Sequence, residues 1–548
     1  MPELHIANVF SKHRLFTGLA SAAALAFVAA PCTPQGRPAK VNKRGAATTA
    51  QAAAGPATRT VPDLPRESVD TRYVPPTGRT IDVRAGGNLQ RAINQARPGD
   101  VIMLESGATF RGHFTLPEKS GTPGPGWITI RTAVPDARLP REGERITPAY
   151  APALAKIVTP DQDAALRAGP RAHHYRLVGL EVTVDTGVGN NGGVVRLGSS
   201  GKDQRTLDQV PHHLILDRVY VHGNAGHNTK RCVLLNSAHS AVVDSYLSDC
   251  HSRWQEAQGI LGWNGPGPFK IVNNYVEGSA QNVMFGGSDP TIPNLIPSDI
   301  EIRRNHFTKP KSWKGVWAIK NIFELKNAQR VLVEGNVLES VWPHGQNGFA
   351  VVIKSVNQSG RCTWCVVRHV TFRNNVMRDA AGGVNMAGTV NGGKYWPGEF
   401  LNNVLFENNL LTDIGTANPR HVGRLFQILG ALWNITIDHN TGYATKYTIM
   451  PDGDPKRNVY IANNVFGRTR YGIKGARARG GTETLDKYFP GATFAGNVLI
   501  DGKPGNFPGR NFFPASAREA AGFKGTDGRP AGADTDALNE ATRGVAAP

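Results

Sequence analysis

Cysteine is scarce in this chain, which limits both its cross-links and its metal-binding motifs. Its 548 residues include 5 Cys, and Cys32 lies in or beside a predicted leader. The remaining cysteines allow up to two disulfides. Cys362-Thr-Trp-Cys365 has zinc-ribbon spacing, but no second CxxC completes a four-ligand site, so a metal is not expected there. Cys232 and Cys250 bracket one repeat and are a possible bridge, although the sequence leaves every pairing open.

Long hydrophobic runs are scarce as well. Leu15–Ala30 is apolar and follows the positive cluster Lys12-His13-Arg14, but its roughly 16 residues are short for a membrane span. Residues 1–30 are therefore predicted to be a signal peptide, and the protein to be secreted, extracellular or periplasmic. Residues 31–78, rich in Ala, Pro, Thr and Arg, are predicted to form a flexible linker.

Acidic residues are outnumbered by basic ones, which indicates a polyanionic partner. There are 62 Lys and Arg against 43 Asp and Glu, a formal net charge of +19. No basic helix, aromatic-studded sheet or zinc-finger spacing points to nucleic acid, and the positive charges are dispersed. An acidic polysaccharide is the predicted partner, and the alternative is that the charge only maintains solubility. Oligomeric state is not indicated.

What the chain has in abundance is a repeat that ends in asparagine. Each copy reads apolar-x-apolar-x-x-Asn, with alternating apolar residues five and three positions before the Asn. The spacing between copies is 24 to 39 residues. The anchors are Asn274, Asn305, Asn336, Asn375, Asn409, Asn440, Asn464 and Asn497.

This period predicts a solenoid of short strands. Alternation with period two gives each strand one buried face, and a single short strand cannot bury that face alone. Stacked coils bury it in one column, and the anchoring amides can hydrogen-bond from coil to coil. Weaker copies without the Asn lie upstream at Tyr175–Val182, His213–Val221 and Ala241–Leu247.

The solenoid is predicted to span residues 79–514 as a single domain. Asn88–Ala96 has apolar residues at helical spacing and is predicted to be a short N-terminal capping helix that covers the open end of the core. Residues 515–548, rich in Ala, Gly and Asp, are predicted to be a loosely docked low-complexity tail.

The repeat resembles the right-handed parallel β-helix of the pectate-lyase-like superfamily over roughly Thr80 to Phe513. The segments GPGPFKIVNNYVEGSAQNVMFGGSDP (Gly265–Pro290) and FELKNAQRVLVEGNVLES (Phe323–Ser340) are similar to secreted bacterial β-helix repeat proteins. The resemblance implies an all-β solenoid fold. It carries no assigned reaction.

A second strand in each coil is predicted to present polar side chains along one outer face. With the apolar partners placed inward, coils about 4.8 Å apart align the outward residues in a strip. A strip of Trp, amide and cationic groups suits an acidic sugar chain. The predicted substrate-binding residues are Arg196, Asn236, Trp263, Asn282, Lys320, Asn385 and Gln427, beside the candidate catalytic residues Lys326, Lys354, Glu324 and Asp289.

Lys326 and Lys354 favour polysaccharide lyase chemistry. β-Elimination from a uronate needs a neutralised carboxylate, a base for the C5 proton and an acid for the leaving oxygen. Adjacent lysines favour a neutral amine, so Lys326 is the predicted base, Lys354 or Lys320 the neutralising cation and Glu324 the orienting group. Lyases on this fold often use Lys or Arg as base, and the arrangement is similar to theirs, although no motif carries the assignment residue by residue.

Two other interpretations stay open. Hydrolysis needs two carboxylates, and Glu324 has only Asp289, Asp249 or Glu256 as partners, without the paired-Asp pattern of polygalacturonases. A non-catalytic polysaccharide-binding or cell-envelope protein would need no catalytic group. No cofactor is expected: calcium would require an Asp cluster on neighbouring strands, and His222-Gly-Asn-Ala-Gly-His227 is more typical of a turn than of a metal or acid–base site.

Overall fold

The computed structural model describes residues 55–119, 126–388 and 399–546. The predicted signal peptide and the first part of the predicted linker lie outside these ranges. From Ala54 onward the chain forms one compact unit. Within the described part, no helix has the length and apolarity that a membrane crossing needs.

Three long sheets form the body of this unit, with 14, 13 and 11 strands among the described residues. Neighbouring strands of a sheet belong to successive coils and pair in parallel, as in Ala328–Glu334 with Val367–Arg373. This is a parallel β-helix, so the predicted all-β solenoid is confirmed. Each coil contains three strands, one more than the sequence indicated, because the strands after the asparagines are only two to five residues long.

The strand and helix bounds are as follows. The fourteen-stranded sheet contains Thr80–Val83, Val101–Leu104, Ile128–Thr132, His173–Val178, His212–Asp217, Ala238–Val243, Phe269–Val272, Ser298–Arg303, Ala328–Glu334, Val367–Arg373, Asn402–Glu407, Trp433–Asp438, Arg457–Ala462 and Thr493–Ala495. The thirteen-stranded sheet contains Thr109–Arg111, Ala155–Thr159, Leu180–Val184, Tyr220–His222, Tyr246–Ser248, Tyr275–Val276, His306–Phe307, Val337–Val341, Val376–Ala380, Leu410–Ile414, Thr441–Ala444, Val465–Phe466 and Val498–Leu499. The eleven-stranded sheet contains Phe114–Leu116, Leu166–Ala168, Val195–Gly198, Arg231–Asn236, Gln258–Gly262, Gln281–Phe285, Phe323–Leu325, Phe349–Lys354, Gly382–Ala387, Arg424–Leu429 and Tyr447–Asp452. A small pair joins Asn190–Asn191 to Asn228–Thr229, the α-helices are Leu89–Gln95, Thr482–Tyr488, Ala517–Ala520 and Thr535–Thr542, and the 3₁₀ turns are Asp136–Arg138, Pro148–Ala153, Leu207–Gln209, Lys311–Trp313 and Pro504–Asn506.

The repeated asparagines lie at the corner between the fourteen- and thirteen-stranded sheets and form a continuous amide ladder. In each step the Nδ2 atom donates to the Oδ1 atom of the next anchor, 2.9 Å from Asn274 to Asn305 and 3.0 Å from Asn305 to Asn336. The same Oδ1 also accepts the backbone N–H of the previous anchor. All eight predicted anchors belong to the ladder, and Asn511 extends it by one step.

The N-terminal helix covers the first coil as predicted. It runs from Leu89 to Gln95, and the side chain of Asn88 accepts the N–H of Arg91 as an N-cap. Leu89, Ala92 and Ile93 are buried in the main core. An end of the solenoid that would otherwise expose apolar side chains is thereby closed.

Part of the predicted flexible linker is bound to the solenoid. Residues 57–73 lie on the fourteen-stranded sheet, from its C-terminal coils toward its N-terminal coils. The backbone N–H of Thr60 donates to Thr436, that of Asp63 to His369, and that of Arg66 to Asp299. Val69 packs with apolar residues of the sheet. The polar composition of this strap reflects its hydrogen bonds to the sheet rather than flexibility.

The C-terminal tail is also held against the coils. The N–H of Gly532 donates to the carbonyl of Asn463, that of Asp534 to Asn408, and the Arg304 guanidinium donates to the carbonyl of Ala541. Leu538 and Val545 are fully buried. The tail predicted to be loosely docked is therefore anchored along the corner that carries the amide ladder.

Both possible disulfides are present in the described chain. Cys232 is bonded to Cys250, which closes one coil as the spacing allowed, and Cys362 is bonded to Cys365. The second disulfide uses both cysteines of the CxxC motif. It therefore offers no thiolate to a metal ion.

Candidate functional site

The predicted candidates converge on Glu324, at the centre of the eleven-stranded sheet. Its Oε1 lies 3.2 Å from the Lys354 ammonium and 3.6 Å from that of Lys326. Both lysines therefore lie beside the same carboxylate. Glu324 is fully buried, however, rather than exposed on the outer face. It lies beneath the two lysines and is not itself accessible to a ligand.

Burial alone would raise the pKa of Glu324, but its surroundings reverse the effect. The charges of Lys326 and Lys354 and a 2.7 Å hydrogen bond from Gln281 lower the pKa of this carboxyl to about 2. Glu324 is therefore ionised at any physiological pH. Two ammonium groups share one carboxylate, so the group of three carries a net positive charge.

The two lysines differ in how they are held. The Lys354 ammonium lies 3.2 Å from the Glu324 carboxylate, whereas the Lys326 ammonium lies 3.6 Å from it. Lys326 also lines a cleft of about 340 Å³ on the outer face of the sheet. It is thus the less tightly held amine of the pair and the one that a ligand in the cleft would contact.

Glycine backbones form the cleft wall next to Lys326. Gly286 and Gly287 have φ values of +91° and +83°, a region that favours glycine. A Cβ at Gly286 would lie 2.9 Å from the Cβ of Lys326, and one at Gly287 would lie 2.2 Å from the methyl group of Met284. Larger residues at these positions would displace Lys326 or fill the cleft.

A cation over an aromatic ring also lines the cleft. The guanidinium of Arg231 lies 5.5 Å from the centre of the Trp263 ring. Among the described residues, no carboxylate lies within ion-pair distance of Arg231, and its buried Nε has no hydrogen-bond partner. Burial lowers the pKa of Arg231 to about 10, with Arg196 adding to the effect, so the group stays charged at neutral pH.

A chain of amides connects the cleft to the buried carboxylate. Gln258, which lines the cleft, donates to Gln281 at 3.1 Å, and Gln281 donates to Glu324. The Oε1 of Gln258 is buried without a partner. Neither glutamine was predicted, because the sequence indicated only alternating outward positions and Gln258 begins its strand.

The Glu256 carboxylate at the cleft is already paired. It accepts a hydrogen bond from Lys320, which compensates the charge of the lysine that was predicted to bind substrate. Lys230, another cleft residue, forms no ion pair within the described chain, and burial lowers its pKa. The accessible charge of the cleft is therefore positive. Trp254, 78% exposed, adjoins the cleft residue Gln255.

Two predicted substrate-binding amides are structural instead. Asn282 is fully buried, donates to the carbonyls of Val276 and Thr308, and accepts from the ammonium of Lys309. Asn236 is fully buried, and its Oδ1 accepts the backbone N–H groups of the turn at Trp263. The outward prediction is wrong for both, because the alternation breaks where the strands meet their turns.

Asp289 does not reach the cleft either. Its Oδ2 accepts the backbone N–H groups of Ser359 and Arg361, both at 3.1 Å, and it is 3% exposed. It ties the loop after Gly287 to the loop that carries the second disulfide. This role in packing leaves no carboxylate oxygen directed at Lys326.

The other predicted strip residues lie on the same sheet but outside the cleft. Glu324 pairs in register with Val352, which pairs with Asn385, which pairs with Gln427. The Oδ1 of Asn385 is buried without a partner, and Gln427 accepts from Arg424. Arg196 is bound to Asp163 at 2.8 Å. Lys326, Trp263 and Arg231 are thus the groups that meet in one place.

The chain is similar to several solved structures at low sequence identity. The chain is 14% identical to the PL6 family alginate lyase AlyGC, with a TM-score of 0.41 over 86% of this chain and 59% of that one. It is 10% identical to PfbA, a surface adhesin of Streptococcus pneumoniae, with a TM-score of 0.45 over 72% of this chain and 87% of the adhesin. It is 12% identical to a GH87 alpha-1,3-glucanase from Streptomyces thermodiastaticus, with a TM-score of 0.42 over 82% and 70%. The chain spans less than two thirds of the length of the alginate lyase. No protein-family model and no curated protein matches the sequence.

Proposed function

We propose that the cleft binds an acidic, uronate-containing polysaccharide and cleaves it by β-elimination. The observation that carries the proposal is the guanidinium of Arg231, which lies over Trp263 in the same cleft as Lys326 and has no ion-pair partner among the described residues. A buried cation without a counter-ion is costly unless a ligand supplies one. A uronate carboxylate has the matching charge and a planar pair of oxygens for a guanidinium.

The residues that line the cleft suit a sugar chain, in addition to the positive charge of the cleft. Trp254 offers an exposed indole face for a neighbouring sugar ring, and Gln258 offers an unpaired amide oxygen to a hydroxyl group. Lys230 adds a second cation for the next carboxylate along the chain. These contacts extend along the outer face of the sheet, the direction in which a polymer would lie.

Lys326 is the proposed base. Two ammonium groups share the Glu324 carboxylate, and the removal of one proton leaves this buried group electrically neutral. Lys354 lies closer to Glu324 than Lys326 does, and Lys326 lines the cleft, so Lys326 is the proposed acceptor of the C5 proton. The electron pair of the C5–H bond forms the C4=C5 double bond, and the glycosidic oxygen leaves from C4 and takes up a proton from solvent water or from the ammonium just formed on Lys326. Arg231 neutralises the uronate carboxylate, which makes the C5 proton more acidic.

Hydrolysis is less well supported by the cleft. A glycoside hydrolase needs one carboxylic acid that donates a proton and one carboxylate. Glu256 is paired with Lys320, and Glu324 has a pKa of about 2 and lies beneath the lysines. Neither is placed as a proton donor. Binding without cleavage is the second candidate, because Arg231 and Trp263 need no catalytic partner to hold an anionic glycan.

The export of the protein belongs to the same proposal. The two disulfides fit an oxidising compartment, where a polysaccharide of a cell wall or matrix would be met. The leader predicted over residues 1–30 would direct the chain there.

Incubation with a panel of polyuronates separates these possibilities. Ultraviolet absorbance of the unsaturated product is expected for at least one polymer, and Lys326→Met should lower that rate by about 100-fold or more, the scale of a lost general base. Lys311→Met is the matched control, because Lys311 is 80% exposed on a loop outside the cleft. New reducing ends without absorbance would indicate hydrolysis and contradict the proposed reaction. Binding without either signal would reduce the proposal to a binding site, and turnover that survives Lys326→Met would refute the base.

A further inference from the structure

Five histidines cluster at the start of three successive strands of the fourteen-stranded sheet. His173 and His212 are paired in register, and the residues after them, His174 and His213, occupy the next position with positive φ. His239 continues the second column in the following coil, also at positive φ. All five side chains are partly buried, and the proposed cleft uses none of them.

The rings form two parallel stacks with their nitrogens facing each other. His173 stacks on His212 at 5.2 Å between ring centres, and His174 stacks on His213 at 4.5 Å. Within each coil the Nδ1 atoms approach closely, 3.0 Å between His173 and His174 and 2.7 Å between His212 and His213. Ring nitrogens of His174, His212 and His213 lie within 4.8 Å of one another.

Imidazole is a ligand that transition metals favour in proteins. A neutral imidazole keeps a lone pair on one ring nitrogen, which is the atom that binds the ion. The indole of Trp127 lies 5.4 Å from His174 and shields that side of the cluster.

We propose that His174, His212 and His213, with His173 next to His174, form a binding site for a divalent transition metal ion, with Cu²⁺ preferred over Ni²⁺ and Zn²⁺. Imidazole nitrogens suit these ions, and Cu²⁺ binds most tightly in the general order of affinities. Two ligand bonds of about 2.0 Å at a right angle place the nitrogens about 2.8 Å apart, the cis arrangement of a tetragonal copper centre. The separations within the two coils match that value.

The rest of the column shows that the fold does not require histidine at these positions. Continued through the later coils, the column of His174 and His213 reaches Asn403, Asn434 and Asn458, which also have positive φ. Asparagine tolerates this conformation well. The concentration of imidazoles in the early coils is therefore a chemical feature rather than a backbone requirement. The same comparison supplies variants that keep the fold, His174→Asn and His213→Asn.

The test is a metal titration of the chelator-treated full chain. Calorimetry with CuCl₂ should give one tight equivalent per chain, and electron paramagnetic resonance should report nitrogen ligands. The double variant His174→Asn/His213→Asn should weaken this binding by about 100-fold or more, the scale of two lost ligands. His369→Asn is the matched control, because His369 lies in the same column with positive φ, outside the cluster, and accepts a backbone N–H as Asn458 does.

The outcomes separate cleanly. Tight binding in the wild type and the control, with loss in the double variant and an unchanged circular dichroism spectrum, supports the site. Absence of a tight equivalent in the wild type, binding that survives in the double variant, or a resonance spectrum without nitrogen ligands would each overturn it. Ca²⁺, which prefers oxygen ligands, should not compete.

Discussion

The asparagine corner and the outer face of the eleven-stranded sheet use buried polar groups in opposite ways. At the corner, every amide from Asn274 to Asn497 both donates to the next coil and accepts from the previous one or from the backbone. On the sheet face, buried polar atoms of Arg167, Arg231, Gln258, Asn385 and Arg424 have no partner. An unpaired buried polar atom costs about 1–3 kcal/mol. The difference separates the part that holds the coils together from the part left open for a ligand.

The largest expected effect is the loss of one ladder amide. Asn336→Ala removes hydrogen bonds to Asn305, Asn375 and the carbonyl of Ile302 and leaves their partners buried. The free energy of unfolding should fall by about 3–5 kcal/mol, because several groups lose partners together. Urea unfolding measures this change.

Asn511 is the matched control, because it ends the ladder and is only partly buried. Asn511→Ala should cost about 1 kcal/mol, the value of a typical hydrogen bond. Equal losses of unfolding free energy at Asn336 and Asn511 would mean that an amide inside the ladder contributes no more than one at its end. Glycan binding by the folded fraction of either variant should not change.

A smaller effect concerns the charge beneath the cleft. Glu324 has a folded pKa of about 2, below its unfolded value, so its stabilisation is complete above about pH 5 and is lost as the pH falls toward 2. A shift from 4.5 to about 2 corresponds to about 3 kcal/mol. The difference in unfolding free energy between the wild type and Glu324→Gln should shrink by about this amount between pH 5 and pH 2. A difference that is constant with pH would contradict the ionised triad.

The smallest change in unfolding free energy is expected for Arg231, whose side chain has no ion-pair partner on the sheet face. Arg231→Met should weaken binding of an oligouronate by about 10- to 100-fold, because the ligand loses its charged partner. Its free energy of unfolding should stay equal or rise by about 1 kcal/mol, since a buried cation without a partner is removed. Arg196→Met, which breaks the exposed pair with Asp163, should leave affinity within about three-fold and change stability by less than about 1 kcal/mol. If Arg231→Met lowered the unfolding free energy and left oligouronate affinity unchanged, Arg231 would serve stability rather than ligand binding, contrary to the proposal.

The corner was predictable because its signal is periodic. The anchors and the apolar pair before each of them define both the coil and the ladder, and all eight are found in it. Asn511 was missed because it follows Asn497 by only 14 residues. The third strand of each coil and the strap at residues 57–73 carry no periodic signal, and their positions depend on hydrogen bonds made far along the chain.

The cleft was only partly predictable because several of its residues lie where the alternation of inward and outward side chains along the strands stops. Lys326, Lys354 and Glu324 lie close together because Phe323–Leu325 and Phe349–Lys354 are neighbouring strands and Lys326 follows the first of them. The burial of Glu324, Asn236 and Asn282 was not foreseen. Arg231 is the first residue of a strand that is otherwise mostly apolar. It matters because no described residue serves as its counter-ion, and a sequence does not show which charged groups are paired.

Hydrogen exchange with and without an oligouronate tests most directly whether the eleven-stranded sheet is the ligand face. We expect slower exchange in residues 230–234, 254–263 and 284–288 and around Lys326, with the asparagine corner unchanged because its amides are already paired. Protection confined to the thirteen- or fourteen-stranded sheet, or no protection at a saturating concentration of a glycan that is shown to bind, would contradict it.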